Sequence, residues 1–416
     1  MSDGVADPVK ESSNQTFDLV IIGGGMVGAS LALSLADSGL KIAVVDQQSL
    51  SPAPSDDTTP YAARVSALTE ASVNLFQQLG AWPLMQSQRV CPYSKMYVWD
   101  AEGTGDIAFD ADEINHSHLG HIVENDVIRS ALLDRLSQTG IELFSGQSSI
   151  DCQLNDELHT VTLGDATPQK KFQKKLQAKL LIATDGAESG LRKQAGIPSS
   201  QRDYLHHAVV TTVETEAYHQ DTAWQVFLDT GPLAFLPLPS REGRHYCSIV
   251  WSLIPDQAQR VLGLEDEAFC SELERALECR LGKVVNADDR YCFPLKQRHS
   301  RQYHRNRVVV AGDSAHTIHP LAGQGVNLGL QDVMALSEEI SRAVSRGDDF
   351  AADYILNRYE RRRMGSNLLM MKSMEGLQNL FAADDIGIRW LRNTGLKVTN
   401  RFSFVKKQLI RQAMGL

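Results

Sequence analysis

The stretch Asp18-Leu-Val-Ile-Ile-Gly-Gly-Gly-Met-Val-Gly28 constrains this chain more than any other. An apolar run ends in Gly23-x-Gly25-x-x-Gly28, and a helix-like run from Ala29 to Ser38 follows, closed by Gly39. A second apolar run, Ile42 to Val45, ends in Asp46. The order is strand, tight turn, helix, and strand with an acid at its tip. Such a turn needs glycine because its backbone passes close to a pyrophosphate, whose charge settles against the unpaired N–H groups of a helix start. Asp46 lies 18 residues after Gly28 (46 minus 28), near the offset of an acid that grips a ribose hydroxyl. Glycine-rich turns often serve packing alone. Here the strands, helix and acid are all in place, and together they favour a dinucleotide.

At 416 residues the chain can bury a large core and form two domains. A net charge of −10 speaks against nucleic-acid binding. The six cysteines form no CxxC pair, which suits a reducing cytosol and offers no zinc site. No apolar run reaches membrane-spanning length, and residues 1–16 read as a disordered polar leader rather than a signal sequence. The expected location is cytoplasmic, with peripheral contact at the inner membrane left open.

Ser51 to Pro60 is a loop rich in Ser, Pro and Asp. Glu70 to Leu79 reads as a helix, and Asn125 as the N-cap of another from Asp126 to Thr139. Gly103-x-Gly105-x-x-Ala108 opens onto no helix, so it reads as a hairpin turn. Lys170 to Lys175 is a solvated loop or a basic patch. A buried strand, Leu180 to Ala183, runs into Thr184-Asp-Gly186, and another, Val308 to Ala311, delivers Asp313. Between them, strand-like runs at Ala208–Val213, Gln225–Leu228, Leu233–Leu236 and Tyr246–Leu253 indicate a second, sheet-built domain, followed by helical Asp256 to Leu281. Pro320, Gly323 and Gly325 open a long helix to about Val344, and more helix is expected from Phe350 to the end.

Three strand ends, each with Gly and Asp, would hold one long ligand if they converged. The GxGxxG, Asp185-Gly186 and Gly312-Asp313, in this order, resemble the three fingerprints of single-component flavin aromatic hydroxylases, the para-hydroxybenzoate hydroxylase fold group. Ser117–Asn125, Cys247–Leu253, His316–Gly329 and Gln408–Leu416 are similar to the ubiquinone-biosynthesis flavin monooxygenases, most of all to those that hydroxylate ring C5 of a 2-polyprenylphenol. The resemblance runs from Asp18 onward. It implies an α/β fold: a Rossmann-like FAD-binding domain (17–105, 120–200 and 300–345), an inserted β-sheet substrate domain (106–119 and 201–299) and a C-terminal helical region (346–416). It also implies FAD, NAD(P)H as transient reductant, and insertion of one oxygen atom from O2 into a hydrophobic phenol through a C4a-hydroperoxyflavin.

Residue by residue, the resemblance assigns Gly23, Gly25 and Gly28 to the pyrophosphate and Asp46, where many relatives have Glu, to the ribose. Arg64, Asn125 and Arg129 face the cofactor; Asp185 and Gly186 serve the pyrophosphate and the visiting nicotinamide; Asp313 holds the ribityl chain or the flavin-side phosphate. At Pro320 to Asn327 a helix start offers N–H donors and a positive dipole end to the anionic reduced flavin, with Gly323 and Gly325 admitting the ring and Asn327 donating from its amide. Pro320 shapes the pocket beside the flavin and His319 is a candidate proton carrier, although a His at such a turn is more often structural. His316, His118 and His121 read as structural too. Phe227, Phe235 and Pro237, with Val226 and Leu236, either wall the substrate or pack the core.

Trp251-Ser-Leu-Ile-Pro255 resembles the flavin-halogenase WxWxIP signature, but Leu253 replaces its second Trp and nothing else supports halogenation. A flavin- or NAD-binding sensor or assembly subunit is the non-catalytic alternative. From Ile386 to Leu416 the chain carries seven Lys and Arg and no acid. That stretch either meets anionic lipid or an acidic partner, such as a ubiquinone-biosynthesis complex, or docks on the protein's own acidic face. The family also implies a homo-oligomer.

Overall fold

The computed structural model describes residues 15–53, 59–103, 105–165, 174–317, 325–382, 406–407 and 414. Its first sheet orders the strands His304–Arg305, Val308–Val310, Lys174–Ala183, Gln15–Ile22, Ile42–Val45 and Glu142–Phe144, with Gln147–Gln153 and His159–Asp165 added at the side. Gln15–Ile22 runs parallel to both Ile42–Val45 and Lys174–Ala183, and the last runs parallel to Val308–Val310. These central strands are buried on both faces, which is why they read as unbroken apolar runs rather than alternating ones. Helices Met26–Ser34, Asn125–Ser137 and Gly325–Arg346 contribute to the same core.

The second sheet has nine strands among the described residues. Its order is His316–Thr317, Tyr291–Ser300, Ser199–Thr215, Arg244–Leu253, Gly231–Arg241, Thr222–Leu228, Lys95–Asp100 and Asp106–Asp110, with Val284–Ala287 beside Ser199–Thr215. The four expected strand runs are all present, lengthened at their ends. Gly103 and Gly105 lie in the turn between Lys95–Asp100 and Asp106–Asp110, which pair as a hairpin. The expected domain boundary at residue 105 therefore falls between two strands of one sheet, and the second sheet takes chain from Lys95 onward.

Helices Pro255–Leu262 and Asp266–Ala276 cover one face of this sheet, burying Trp99, Val226, Phe235, Trp251 and Phe269 together. The opposite face meets a small third sheet, Val65–Leu68, Gly120–Glu124 and Val90–Tyr93. There Tyr61, Ala67, Cys91 and Ile122 pack against Ala223, Leu236 and Leu238. Among the described residues no helix is long and apolar enough to cross a membrane.

Candidate active site

The three glycine-bearing turns meet, and particular side chains join them. Thr184, at the end of its strand, donates its hydroxyl to Gly23 O at 2.7 Å. Ser314 accepts from Gly186 N at 3.0 Å and donates to the Asp185 carboxylate at 3.0 Å. Buried Arg192 donates to Ser314 O at 2.8 Å and to Ala187 O at 3.0 Å, so the second turn is tied to the third. Val27, in the helix after the first turn, fills the space left by two glycines: a Cβ on Gly312 would lie 3.0 Å from Val27 Cγ2, and one on Gly329 2.7 Å.

The glycines of the first turn do two different jobs. Gly23 has φ +105, and a Cβ there would sit 2.4 Å from Thr184 O. On Gly28 it would sit 1.9 Å from Gly23 O. Both are demanded by packing. Around Gly25, by contrast, a Cβ would meet nothing within 4 Å, and the same is true of Gly186 and Gly325. The backbone is bare on that side, next to a helix start whose first N–H groups lack intrahelical acceptors. A long anionic ligand fits such a surface.

Asp46 closes the end of the groove by accepting from Gly24 N at 2.6 Å and Gln48 N at 2.7 Å. Each oxygen keeps a further lone pair for a hydroxyl. Asp313 is exposed to the groove, and no described residue hydrogen-bonds its carboxylate. The protein crowds it closely enough that burial pushes its pKa above the usual carboxylate range, against the opposing pull of His316 and Arg64.

The third turn also crosses from one sheet to the other. Its strand of arrival, Val308–Val310, belongs to the first sheet, while His316 and Thr317 pair with His299 and Arg298 of the second. Arg64 reaches the same strand, its guanidinium 5.7 Å from the Phe293 ring centroid. The turn thus lies beside a sheet face that carries Ala208, Val210 and Leu295, continued by Val250 and Ala234. Phe293 stands opposite Ala208 and shares this face.

Residues 16–371 match the family model described as FAD binding domain. The chain belongs to this family. It is 35% identical to the 3-demethoxyubiquinol 3-hydroxylase of Escherichia coli K12 over 97% of this chain and 100% of that protein. With the mitochondrial ubiquinone biosynthesis monooxygenase COQ6 of Xenopus tropicalis it shares 33% identity, over 95% of this chain and 92% of the relative. In fold it is similar to p-nitrophenol 4-monooxygenase PnpA of Pseudomonas putida, with TM-score 0.75 and 17% identity over 96% of this chain and 98% of that structure. PqsL of Pseudomonas aeruginosa gives TM-score 0.75 and 19% identity, covering 92% and 100%. The protein is an FAD-dependent monooxygenase of the para-hydroxybenzoate hydroxylase fold.

Several residues expected to touch FAD are engaged with the protein itself. Asn327 is buried; its amide donates to Ala67 O at 2.8 Å, and its oxygen accepts from Ser72 Oγ at 2.7 Å and Thr69 N at 3.1 Å. It pins the long helix to the third sheet. Asn125 is the first residue of its helix and not the N-cap, which is Glu124. Its side chain accepts from Ser66 Oγ at 2.7 Å. Arg129 donates to Ser49 O at 2.5 Å and steadies the loop beyond Asp46. Asp185 accepts from Gly190 N at 2.8 Å, at the start of the helix Gly190–Gln194 that Ser189 caps, so its carboxylate supports the turn.

The substrate-side expectation needs a sharper correction. Phe235 is fully buried among the residues beneath the two covering helices, and Val226 with it. Pro237, two residues on, lies on that same face, opposite Cys247 of the same cluster. Neither Phe235 nor Pro237 faces the FAD groove. Phe227 has the other parity and shares a face with Ala223.

His319, Pro320 and Gly323 lie outside the described residues. His316 is buried with Nε2 against Asp332, a structural role, as expected. His118 pairs with Glu70, and His121 is wedged between His118 and Trp82. Of the basic C-terminal stretch, Lys406 is buried and contacts Glu113 at 2.5 Å, while Met414 packs with Ala111, Ile114 and Leu119. At these two points the stretch docks on the protein's own surface. Sequence reading missed Ser314, Arg192, Asp332 and Arg363, all of which act through contacts distant in sequence. The only local signal was Asp332 within a mainly apolar helical stretch; Arg363 is the last of three consecutive arginines, and nothing local distinguishes it from the other two.

Proposed function

We propose that the protein hydroxylates one ring carbon of a polyprenylphenol precursor of ubiquinone, with C5 as the position. The observation that carries this reading is the bare glycine groove lying against an apolar sheet face, a site for an extended anionic cofactor beside a greasy ring. The 35% identity to the E. coli enzyme over its full length supports the same pathway. That relative's name favours a second reading, hydroxylation at the position it specifies.

FAD, when bound, supplies the redox chemistry that activates O2, with NAD(P)H as the source of electrons. The chain's own residues do the rest. Gly25 and Gly186 admit the cofactor backbone-close, Asp46 and Asp313 accept from its hydroxyls, and Arg64 adds positive charge at the groove. Ala208, Ala234, Val250 and Phe293 offer no group that holds water, which protects an activated oxygen species from hydrolytic loss. Asn327 and Ser314 fix the walls through their contacts with the protein.

The test is to give the purified yellow protein NAD(P)H, O2 and a short-chain 2-prenylphenol, and to analyse the product by mass spectrometry and NMR. Gain of one oxygen at C5 is expected. Oxygen at the position that the relative's name specifies moves the assignment to the second reading, while oxygen at any other carbon, or reductant oxidation that no prenylphenol stimulates, refutes both. Quinone precursors accumulating in a deletion strain give an independent check.

A further inference from the structure

Asp332 lies in the N-terminal half of the helix Gly325–Arg346 with 0% exposure, and it gathers four donors. One oxygen accepts from Gly312 N at 3.0 Å and His316 Nε2 at 2.5 Å. The other accepts from Arg363 Nε at 2.7 Å and Asn367 Nδ2 at 3.2 Å. Burial alone would raise its pKa; His316 and Arg363 outweigh that and hold it below the usual range. A buried carboxylate satisfied in this way is rigid, because losing any partner leaves charge unpaired in a low-dielectric interior.

What the carboxylate holds is informative. Gly312 and His316 bracket Asp313, and Ser314 between them is held by Gly186, Asp185 and Arg192. Within residues 312–316, Asp313 is the one polar side chain that no described residue hydrogen-bonds. Arg363 and Asn367 come from the helix Asp353–Ala382, and Asn367 also donates to Tyr303 Oη at 3.1 Å. A helix outside the groove therefore reaches the turn through one carboxylate.

We propose that Asp332 is a positioning residue for FAD: by clamping Gly312 and His316 it presents the Asp313 carboxylate to the cofactor without touching the cofactor itself. This rests on the reading of Asp313 as an FAD contact. A hydrogen bond to a charged group contributes enough that losing the alignment should weaken FAD binding about ten- to a hundredfold.

The experiment is a double-mutant cycle on apo-protein, with Asp332→Asn, Asp313→Ala and the pair, titrated with FAD by flavin fluorescence. Circular dichroism confirms that each variant is folded at the assay temperature. Asp332→Asn should raise the Kd about ten- to a hundredfold, and the double variant should bind no more weakly than Asp313→Ala alone. Multiplying single effects would show that Asp332 acts on the fold at large, and would overturn the proposal alone. Unchanged FAD binding by Asp313→Ala would overturn the underlying reading of Asp313, and the proposal with it. Should Asp332→Asn not fold, Arg363→Lys enters the same cycle with the same criteria, since it keeps the charge and removes the Nε donor.

Discussion

Replacing Gly28 and Gly25 by alanine should separate the two jobs that one glycine motif performs. At Gly28 the new methyl would lie 1.9 Å from Gly23 O, 2.6 Å from Thr184 Oγ1 and 3.0 Å from Gly23 C. Two of these three atoms are backbone, so the helix Met26–Ser34 must shift away from its strand. Alanine gains about 1 kcal/mol of helix propensity over glycine. Against that stand overpacking, about 1–3 kcal/mol and here at the upper end, and about 1 kcal/mol for the Thr184–Gly23 hydrogen bond that the shift breaks. The net expectation is a loss of about 2–3 kcal/mol. At Gly25 the methyl meets nothing within 4 Å and φ is −71, so stability should stay within about 0.5 kcal/mol of the parent. Yet that methyl stands where the cofactor backbone must approach, and FAD affinity should fall. Urea unfolding of the apo-protein and FAD titration measure the two effects separately. A Gly25→Ala variant as unstable as Gly28→Ala, or one that binds FAD as tightly as the parent, would refute the reasoning.

Three further outcomes are expected. Phe235→Ala should cost about 3–5 kcal/mol through a core cavity, whereas Phe293→Ala, at 38% exposure, should cost far less stability and raise the KM for a prenylphenol. Denaturant midpoints beside steady-state kinetics distinguish the pair. His121 has its pKa lowered to about 4 by burial and then by His118, so the unfolded chain binds more protons between about pH 4 and 6.5. Its contribution is complete above pH 6.5 and fades as pH falls towards 4. His121→Phe should flatten the stability profile over that window, by up to about 3 kcal/mol; a profile unchanged in slope would count against the burial argument. Lys406→Glu sets a like charge against Glu113 in a half-buried pair, and should expose the C-terminal stretch to limited proteolysis while the rest of the chain resists.

How far the site was legible depended on how local each cause was. Gly23 is legible because the positive φ of its strand-to-helix turn is a local cause that disfavours any side chain, although the strand end it touches, at Thr184, lies 161 residues away. The strand–turn–helix–strand order and the acid at position 46 follow from the same short-range rules, and the structure reproduces them. Hidden from the sequence was parity. Phe235 and Leu236 are both apolar, and a strand places one under the covering helices and the other against the third sheet. The protein contacts of Asn327 were hidden for a related reason: the strand residue its amide donates to, Ala67, is 260 residues away.

By itself, then, the sequence determined the backbone of the nucleotide turn and the succession of sheets, because dihedral limits and apolar runs act within a few residues. Tertiary structure decided which face of the second sheet looks onto the groove, and which polar side chains are already engaged there. Those outcomes depend on which distant donors and acceptors arrive beside one another, as Asp332, His316 and Arg363 do around the turn that carries Asp313.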